Sequence, residues 1–563
     1  MKKQIFIISI LLPIFIFILY PFQSIFCQSE YIGTWEGFFM NDFKTIISFQ
    51  ETEDNQYTGN IKMLNIDAVI QDDEITQIVL DNQQLKFFIP AKETSYNGTF
   101  NEDKNALSGE FIFPDGSRHA LNVSKKAGES LNPIDVYREI KEKTFSNLQL
   151  KEDFSFLHFS LTKYHPQLYT YTSKNDIAKL IERLSEGIEK DLTLEEFYVI
   201  VSQFTDAVKC SHTGARLSQE YQKLISEFGN YFPLRLYFKN GKAFYITNLD
   251  KNHIQFEPGV EIISINGALV KDIISQLQLF IPGEGNNQTT EYNELNKNFN
   301  FLFYFLDDSD NYKLEYKSKD SIGNMIIKSC NYSALNLNSE ISDIDEPVSF
   351  EYMSSKSLGI IKIPSFGIRD MDAYLWKLDS IFSEIKNLNA QNLILDLRDN
   401  KGGHPIFAAQ ILSYLIDHEF TYFKRNDDIP DFEPLYNPMQ ANPLNFGGNI
   451  YVLVNGGCLS TTGHLISLLD YHSNAIFVGE QPGSTFQCND FSIQLKLPIT
   501  GIELNVPRTT FRTVISDKEL NTQLPIRYKV SSSAVDLINN KDVCLDTVFS
   551  ILEGQDIKEF KEN

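Results

Sequence analysis

Short apolar strands alternate with amphipathic helices between residues 358 and 478, and this alternation limits the possible folds more than any other feature of the chain. It predicts βαβ units and a mainly parallel sheet, because parallel strands need a long crossover that a helix can supply. The predicted strands are 359–363, 392–397, 450–454 and 475–478, and the predicted helices are 373–385, 406–416 and 461–469. Ligands of such sheets bind at the carboxyl ends of the strands. A functional site is therefore predicted at the loops 398–404, 455–460 and 479–490.

The whole chain has 563 residues and is expected to form a multidomain α+β and α/β protein, since one domain usually spans about 100 to 200 residues. Alternating runs between closely spaced turns favour an N-terminal antiparallel β-sandwich or barrel, with Trp35 in its core. Helical periodicity follows, and Thr193 before two glutamates indicates a helix start. A Pro-Gly turn, a strand ending in Asn-Gly and a helical stretch are then typical of a PDZ-like module. The predicted boundaries are 30–125 for the β domain, 132–230 for the helical part, 231–345 for the PDZ-like module and connecting strands, 346–535 for the α/β core and 536–563 for a C-terminal segment.

Residues 1–28 have the pattern of an export signal. Lys2 and Lys3 precede a long apolar run, as in the n-region and h-region of a signal peptide. The run is also long enough to span a bilayer, so an uncleaved N-terminal anchor is the alternative. The protein is therefore expected in the periplasm, the cell envelope or the extracellular space, with membrane contact only through this segment.

Charge and cysteine usage narrow the expected partners. Lys and Arg number 50 against 74 Asp and Glu, and the resulting net charge of −24 repels nucleic-acid phosphates. The six cysteines show neither CxxC spacing nor the histidine pairing of a zinc site. The sequence thus predicts no nucleic-acid partner, no metal and no cofactor.

Ser460 is the side chain whose sequence context most clearly indicates a chemical role. It ends Asn455-Gly-Gly-Cys-Leu-Ser460, between a predicted strand and a predicted helix, where small residues permit tight backbone geometry. Backbone amides at such a helix start can stabilise an oxyanion, and a serine in such a turn suits a nucleophile. The commoner role of serine at this position is that of an N-cap. The sequence alone leaves both roles open.

A nucleophilic serine needs a base. Only His464 and His472 follow Ser460, which excludes the chain order of an α/β-hydrolase, where the histidine follows both the serine and a distant acid. An upstream histidine must therefore serve. His212, in Ser211-His-Thr-Gly214 after a helical segment, has the context of an exposed functional group, and a capping or surface role is its alternative.

Three motifs resemble, in order, the core of the tail-specific (C-terminal-processing) and tricorn-type serine peptidases. They are NLILDLRDNKGG at 392–403, VLVNGGCLSTT at 452–462 and IFVGE at 476–480, within a resemblance that spans about residues 150–530. The tail-specific branch carries a lysine base after the serine, whereas the matching position here is Thr485. The resemblance thus favours the tricorn-like branch and implies a crotonase-like α/β peptidase core.

The tricorn-like branch implies roles for four side chains. Ser211 and His212 match its upstream pair, Ser460 its nucleophile, and Glu519 its glutamate. His212 would take the proton of the Ser460 hydroxyl and return it to the leaving amine. Glu519 would orient the imidazole through Ser211. The resemblance thus implies an exported serine endopeptidase that acts through an acyl-enzyme.

The resemblance also implies an oxyanion hole and a substrate. The hole would combine the backbone amide of Gly402 or Gly403 with that of Thr461. The PDZ-like module, which captures substrate carboxy termini in relatives, looks degenerate here because a clear carboxylate-binding loop is missing. The expected partner is a peptide or protein substrate, with its carboxy terminus as one route of capture.

Two other interpretations compete with this peptidase. The same fold serves ligand binding in some relatives, so a catalytically inactive peptide- or ligand-binding homologue is the main alternative. Cys458 as a thiol nucleophile is another, although no histidine pairing motif accompanies it. Reactivity directed at Ser460 separates these possibilities from a serine peptidase.

Overall fold

A computed structural model describes residues 32–559 except 40–42, 52–56, 66–67, 82, 102, 126–132, 251–255, 320, 336–346, 426–429, 516–522 and 525. The predicted signal or anchor at 1–28 and the predicted glutamate Glu519 lie outside the described residues. The described part contains no helix that is long and apolar enough to cross a membrane. The chain divides into two units, Met1–Ser130 and Leu131–Asn563.

The first unit confirms the predicted antiparallel β domain and shows that it is a closed barrel. Its strands are β1 Gly33–Phe39, β2 Phe43–Glu51, β3 Tyr57–Asn65, β4 Ala68–Asp81, β5 Gln84–Ile89, β6 Thr94–Phe100, β7 Ala106–Ile112 and β8 Arg118–Lys125. Each strand pairs with the next, and β1 closes the ring by pairing with β8. Alternate side chains point inward, and Trp35, Phe87 and Phe111 are among the aromatic rings that fill the interior.

The second unit begins with the predicted helical part. Its elements are α1 Pro133–Glu142, β9 Thr144–Phe145, α2 Asn147–Tyr164, α3 Lys174–Gly187, β10 Leu192–Thr193, α4 Leu194–Asp206, β11 Gly214–Arg216 and α5 Gln219–Phe228. Thr193 caps α4 as predicted, since its hydroxyl accepts a hydrogen bond from the backbone amide of Glu196 and the Glu196 side chain bonds back to Thr193. The capped helix leads the chain into the loop that carries Ser211 and His212.

A strand-rich module follows. Its elements are β12 Leu234–Lys239, β13 Lys242–Asn248, β14 Glu261–Ile265, β15 Ala268–Leu269, α6 Val270–Leu277, α7 Thr289–Tyr304, β16 Asn311–Ser318 and β17 Ser321–Lys328. The sheet has the order β12-β13-β14-β16-β17, with β15 paired to β14. Asn266 and Gly267 join β14 to β15 with positive φ angles of 49° and 84°, as a tight hairpin turn requires. The PDZ-like function of this module stays a prediction.

The α/β core confirms the predicted parallel sheet. Its elements are β18 Ser349–Met353, β19 Leu358–Lys362, α8 Met371–Asn387, β20 Asn392–Asp396, α9 Pro405–Ser413, β21 Asn449–Val454, α10 Thr461–His472, β22 Ile476–Gly479, β23 Gln487–Asp490, β24 Ile493–Lys496, β25 Glu503–Val506, β26 Thr509–Arg512, β27 Tyr528–Lys529, α11 Ala534–Ile538 and α12 Val543–Leu552. The sheet order is β18-β19-β20-β21-β22-β27, and every pair from β19 to β27 is parallel. Strands such as β20 and β21 are almost wholly buried because helices or other segments cover both faces.

Two small antiparallel ribbons extend from this sheet and position the site. In one, β11 pairs with β25, which pairs with β24. In the other, β23 pairs with β26. Because β11 begins two residues after His212, its pairing with β25 carries the upstream histidine to the core. No local pattern in the sequence indicated this pairing.

Candidate active site

Ser460 lies in the turn between β21 and α10 with an unusual backbone conformation. Its φ of 53° and ψ of −124° lie in a region that non-glycine residues avoid, at a cost of order 1–3 kcal/mol. Its side chain makes no N-cap hydrogen bond, although the residue stands at the N-cap position. The residue as a whole is only 7% exposed. Its Oγ lies 3.9 Å from Sγ of Cys488. The N-cap alternative is therefore wrong, and the hydroxyl is available for chemistry.

The predicted oxyanion loop packs directly against Ser460. A side chain added at Gly402 would place its Cβ 2.8 Å from Cβ of Ser460, so only glycine fits there. The amide of Gly402 donates to Oδ1 of Asn400 at 2.9 Å. Within the described residues, no acceptor takes the amides of Gly403 or Thr461. Of the two predicted glycines, the geometry thus favours Gly403, together with Thr461, whose hydroxyl donates to the Gly403 carbonyl at 2.5 Å.

His212 stands in the loop between α4 and β11, with both ring nitrogens near polar groups. Nδ1 lies 3.2 Å from Oγ of Ser211, and Nε2 lies 3.5 Å from Oδ2 of Asp490. The backbone carbonyl of His212 accepts a hydrogen bond from the Asn505 side chain on β25. Burial lowers the pKa of His212, against the opposite effect of Asp490. The imidazole is therefore neutral near pH 7, the form that can accept a proton.

Strand β23 brings Ser460 and His212 to one surface. Ser460 contacts Cys488 and His212 contacts Asp490, and these two strand residues are two positions apart. Residues two apart on a strand share a face and lie about 6 to 7 Å apart. No hydrogen bond joins Ser460 to His212, both of which the structure describes. The two predicted residues are therefore assembled at one site, without the direct contact that proton transfer requires.

Glu284 is the residue that the sequence reasoning missed. Its Oε2 accepts hydrogen bonds from Oγ of Ser211 at 2.9 Å and from the Ser211 amide at 3.1 Å, and Tyr171 reaches Oε1 at 3.4 Å. Burial raises the pKa of Glu284 to about 7, although the bonds from Ser211 and Tyr171 lower it. The amide of Gly285 donates to the Lys209 carbonyl and holds the two loops together. A buried carboxyl group thus contacts the serine that contacts His212.

The sequence carries only a weak signal for this glutamate. Pro282-Gly-Glu-Gly285 reads as a polar turn, and its acid looks solvent-exposed in the absence of a partner. The partner, Ser211, is distant in the chain, so no spacing rule joins them. Glu519, which the resemblance assigns to the same role, lies outside the described residues, and its assignment stays a prediction.

Cys458 does not fit the thiol alternative. Its side chain is fully buried, and Sγ donates to the Leu397 carbonyl at 3.1 Å. Burial raises the pKa of the thiol well above its ordinary value. Because the thiolate is the reactive form, a buried thiol of this kind is inert. Cys458 is a packing residue beneath the Ser460 turn.

The neighbouring loop is braced by charge pairs. Arg398 contacts Asp396 at 2.7 Å and Asp542 at 2.8 Å, and these two carboxylates outweigh burial and raise the pKa of Arg398. Asp399 contacts Lys297 at 2.6 Å and accepts from Asn455 at 2.9 Å. Asp399 therefore ties the 398–404 loop to the Ser460 turn through Asn455, and Arg398 ties it to Asp542 at the start of α12. Among the described residues, no cluster of His, Cys, Asp or Glu could hold a metal ion.

Comparisons with known proteins point to one family. Residues 357–508 match the model of peptidase family S41, a segment that includes Gly403 and Ser460 but neither His212 nor Glu284. The solved structure of mature CPAF is 14% identical and covers 73% of this chain and 100% of that chain, with a TM-score of 0.53. Mature CPAF complexed with lactacystin is 13% identical and covers 72% and 100%, with a TM-score of 0.52. No curated protein sequence matches. The likeness to CPAF shows a shared fold.

Proposed function

We propose that this chain, whose residues 357–508 match peptidase family S41, is a serine-type peptidase that hydrolyses peptide bonds through an acyl-enzyme on Ser460 with His212 as general base. Oγ of Ser460 forms a bond to the substrate carbonyl carbon, and its proton passes to Nε2 of His212. The carbon–nitrogen bond then breaks, and His212 returns the proton to the leaving amine. Water hydrolyses the ester by the same route and restores Ser460.

The single observation that carries this proposal is the state of Ser460. Its backbone is held at a strained φ, its hydroxyl caps no helix, and the nearby amides of Gly403 and Thr461 have no acceptor among the residues that the structure describes. A strained backbone costs free energy, and such strain concentrates at functional sites rather than at residues with a purely structural role. The amides of Gly403 and Thr461 are placed to stabilise the negative charge of a tetrahedral intermediate.

Proton transfer requires His212 to close on Ser460. Nε2 of His212 faces Asp490, whereas Ser460 contacts Cys488, two residues or about 6 to 7 Å away along β23. Catalytic hydrogen bonds are often long or absent before substrate binds and tighten in the complex. Ser211 contacts Nδ1 and leaves Nε2 for the reaction. We assign Glu284 the orienting role through Ser211, with Glu519 as the alternative acid.

Several finer features remain part of the proposal. The apolar run at 1–28 supports export to the cell envelope or beyond, with or without a retained anchor. Capture of a substrate carboxy terminus by the module at 231–345 is proposed from its resemblance to a PDZ module alone, since Asn296 and Asn300 already bond the backbone of its edge strand β12. Neither feature is needed for the chemistry at Ser460.

Labelling with a fluorophosphonate tests the proposal directly. The reagent forms a covalent bond with an activated serine, and mass spectrometry locates the modified peptide. We expect labelling of Ser460 in the residue 29–563 protein, none in Ser460→Ala, and unchanged labelling in Cys458→Ser. Labelling elsewhere, or none in a folded sample, would contradict an activated Ser460 and favour a binding homologue.

A further inference from the structure

Strand β17 forms one edge of the sheet in the strand-rich module. It pairs with β16 over its full length and without a bulge. Among the described residues, no other segment bonds to the backbone of β17 on its second side. An open edge of eight residues is a template for a further strand, and proteins usually protect such edges with charges, prolines or bulges. β17 contains no proline, and its only charged residue is Lys328 at its end.

The outer face of β17 is apolar, whereas that of β16 is charged. Ile322 and Ile326 are 64% and 70% exposed, and the exposed Asn324 lies between them. The residues opposite these three on β16 are Lys317, Lys313 and Glu315. Polar outer residues, as on β16, are usual where one face of a sheet meets water. Of all strands in the described part of the chain, only β17 exposes two large apolar side chains.

The order of these outer residues is symmetric about Asn324. Two copies of β17 in antiparallel register about this residue bring Ile322 of one copy opposite Ile326 of the other, and Asn324 opposite its own counterpart. The nearest registers that keep these residues on one face differ by two positions and set an isoleucine against the asparagine. The Asn324 amide both donates and accepts hydrogen bonds, so its two copies can bond to each other. The pattern is thus complementary to itself, as a two-fold interface requires.

The charge of β17 also allows two copies to approach each other. The chain has a net charge of −24, which opposes association of two copies over most of its surface. β17, in contrast, contains no acidic residue. Its single charge, on Lys328, lies at the end of the strand, so the two lysines of an antiparallel pair stand at opposite ends. No like charges therefore meet along the line where the two strands join.

We propose that β17 is an interface between two copies of this chain, which pair antiparallel about Asn324 and join their sheets into one. The two strands satisfy each other's open backbone groups, and the four isoleucines form an apolar cluster above them. Eight residues a side is fewer than the roughly 20 to 30 of a standard interface, so the dimer is weak and depends on concentration. The proposal does not depend on the chemistry at Ser460.

A cysteine at the symmetry axis tests the register. Opposed residues of an antiparallel pair have Cα atoms about 4.5–5.5 Å apart, within the range that a disulfide spans. Asn324→Cys in the full chain should therefore form a disulfide-linked dimer with oxidised glutathione as the oxidant, above the baseline of the native chain. Ile326→Cys is the matched control, because its counterpart lies four residues or about 13 Å away along the strand. Equal cross-linking of the two variants, or none of Asn324→Cys, would overturn the proposal.

Sedimentation velocity measures the association itself. The full chain should pass from monomer to dimer as its concentration rises through the micromolar range. Ile322→Lys/Ile326→Lys sets like charges against each other and should weaken the dimer by about tenfold or more. Leu148→Lys/Trp376→Lys adds the same two charges at helix positions that are 77% and 71% exposed, and should leave the dimer unchanged. A monomer up to millimolar concentration, or a dimer that persists in Ile322→Lys/Ile326→Lys, would overturn the proposal.

Discussion

The barrel and the α/β core both have well-packed interiors, but they differ in how many polar side chains they bury. The barrel buries aromatic rings and, of its described residues, only Thr45 and Thr94 among polar ones. The core buries a cluster of polar side chains around the start of α10, including Asn400, Ser460, Thr462 and His464. Burial of polar groups is costly and is retained where structure or chemistry needs it. The difference indicates that the barrel core serves stability, whereas the polar cluster of the α/β core serves the chemistry.

The largest expected effect is that of Ser460→Ala. Removal of the nucleophile should lower kcat by about 10⁴-fold or more, since only oxyanion stabilisation and substrate binding remain. The folded structure should persist, because the change removes one atom and no capping bond. Steady-state hydrolysis and circular dichroism check both statements. A Ser460→Ala variant that retains activity would show that Ser460 is not the nucleophile, and the core would then no longer differ from the barrel in carrying the chemistry.

Phe111→Ala should damage the barrel instead. Phe111 packs against Phe39 and Tyr96 inside the barrel, and truncation should cost about 3–5 kcal/mol of barrel stability. The fluorescence of Trp35, which is 0% exposed, reports this unfolding, whereas Trp376 is already 71% exposed. The kcat of the folded enzyme should not change.

The matched control for this change lies on β1. Phe38→Ala truncates a ring that is 61% exposed, so barrel stability should change by less than about 0.5 kcal/mol. A large loss in this control, or a lower kcat in Phe111→Ala, would show that the outer face of the barrel or its core serves the reaction.

Glu284→Gln should lower kcat by about 10²-fold with little change in KM, because Gln keeps the shape but loses the charge that supports His212 through Ser211. Since the pKa of Glu284 is raised to about 7, the carboxylate forms as pH rises through that value. Activity of the native enzyme should therefore rise through pH 7, and this step should vanish in the variant.

Glu291→Gln is the control for Glu284. Glu291 is also buried, with its pKa raised to about 7 by burial, but it has no contact with Ser211. The step near pH 7 should survive in this variant. A step lost in Glu291→Gln and kept in Glu284→Gln would refute the positioning role.

The smallest effect concerns pH and Asp490. His212 must be neutral to act as a base, and burial lowers its pKa below the ordinary value of 6.5. Loss of activity that comes from His212 should therefore begin only as pH falls below 6.5. Asp490→Asn removes the carboxylate that favours the imidazolium, so this acid limb should move to lower pH. The shift should be about one unit or less, because Asp490 is 41% exposed. A shift of the acid limb of the kcat/KM profile to higher pH would contradict the expectation that Asp490 stabilises the imidazolium of His212.

Local patterns in the sequence determined the parallel sheet, the barrel strands and the helix start at Thr193. They also placed Ser460 in a strand-to-helix turn directly before Thr461, whereas Gly402 and Gly403 entered only through the family resemblance. Each of these depends on periodicity or on residues a few positions apart, which report directly on burial and on backbone geometry. His212 was identified from its context in Ser211-His-Thr-Gly214 and from the family resemblance, after the chain order had required a histidine upstream of Ser460.

Tertiary structure alone decided which loops meet. The bond from Ser211 to Glu284 spans 73 residues, and the contact of Ser460 with Cys488 depends on the placement of β23. Pairing of β11 with β25 brings His212 to the core. Contacts between distant segments arise from packing of the whole chain, and no local pattern encodes them.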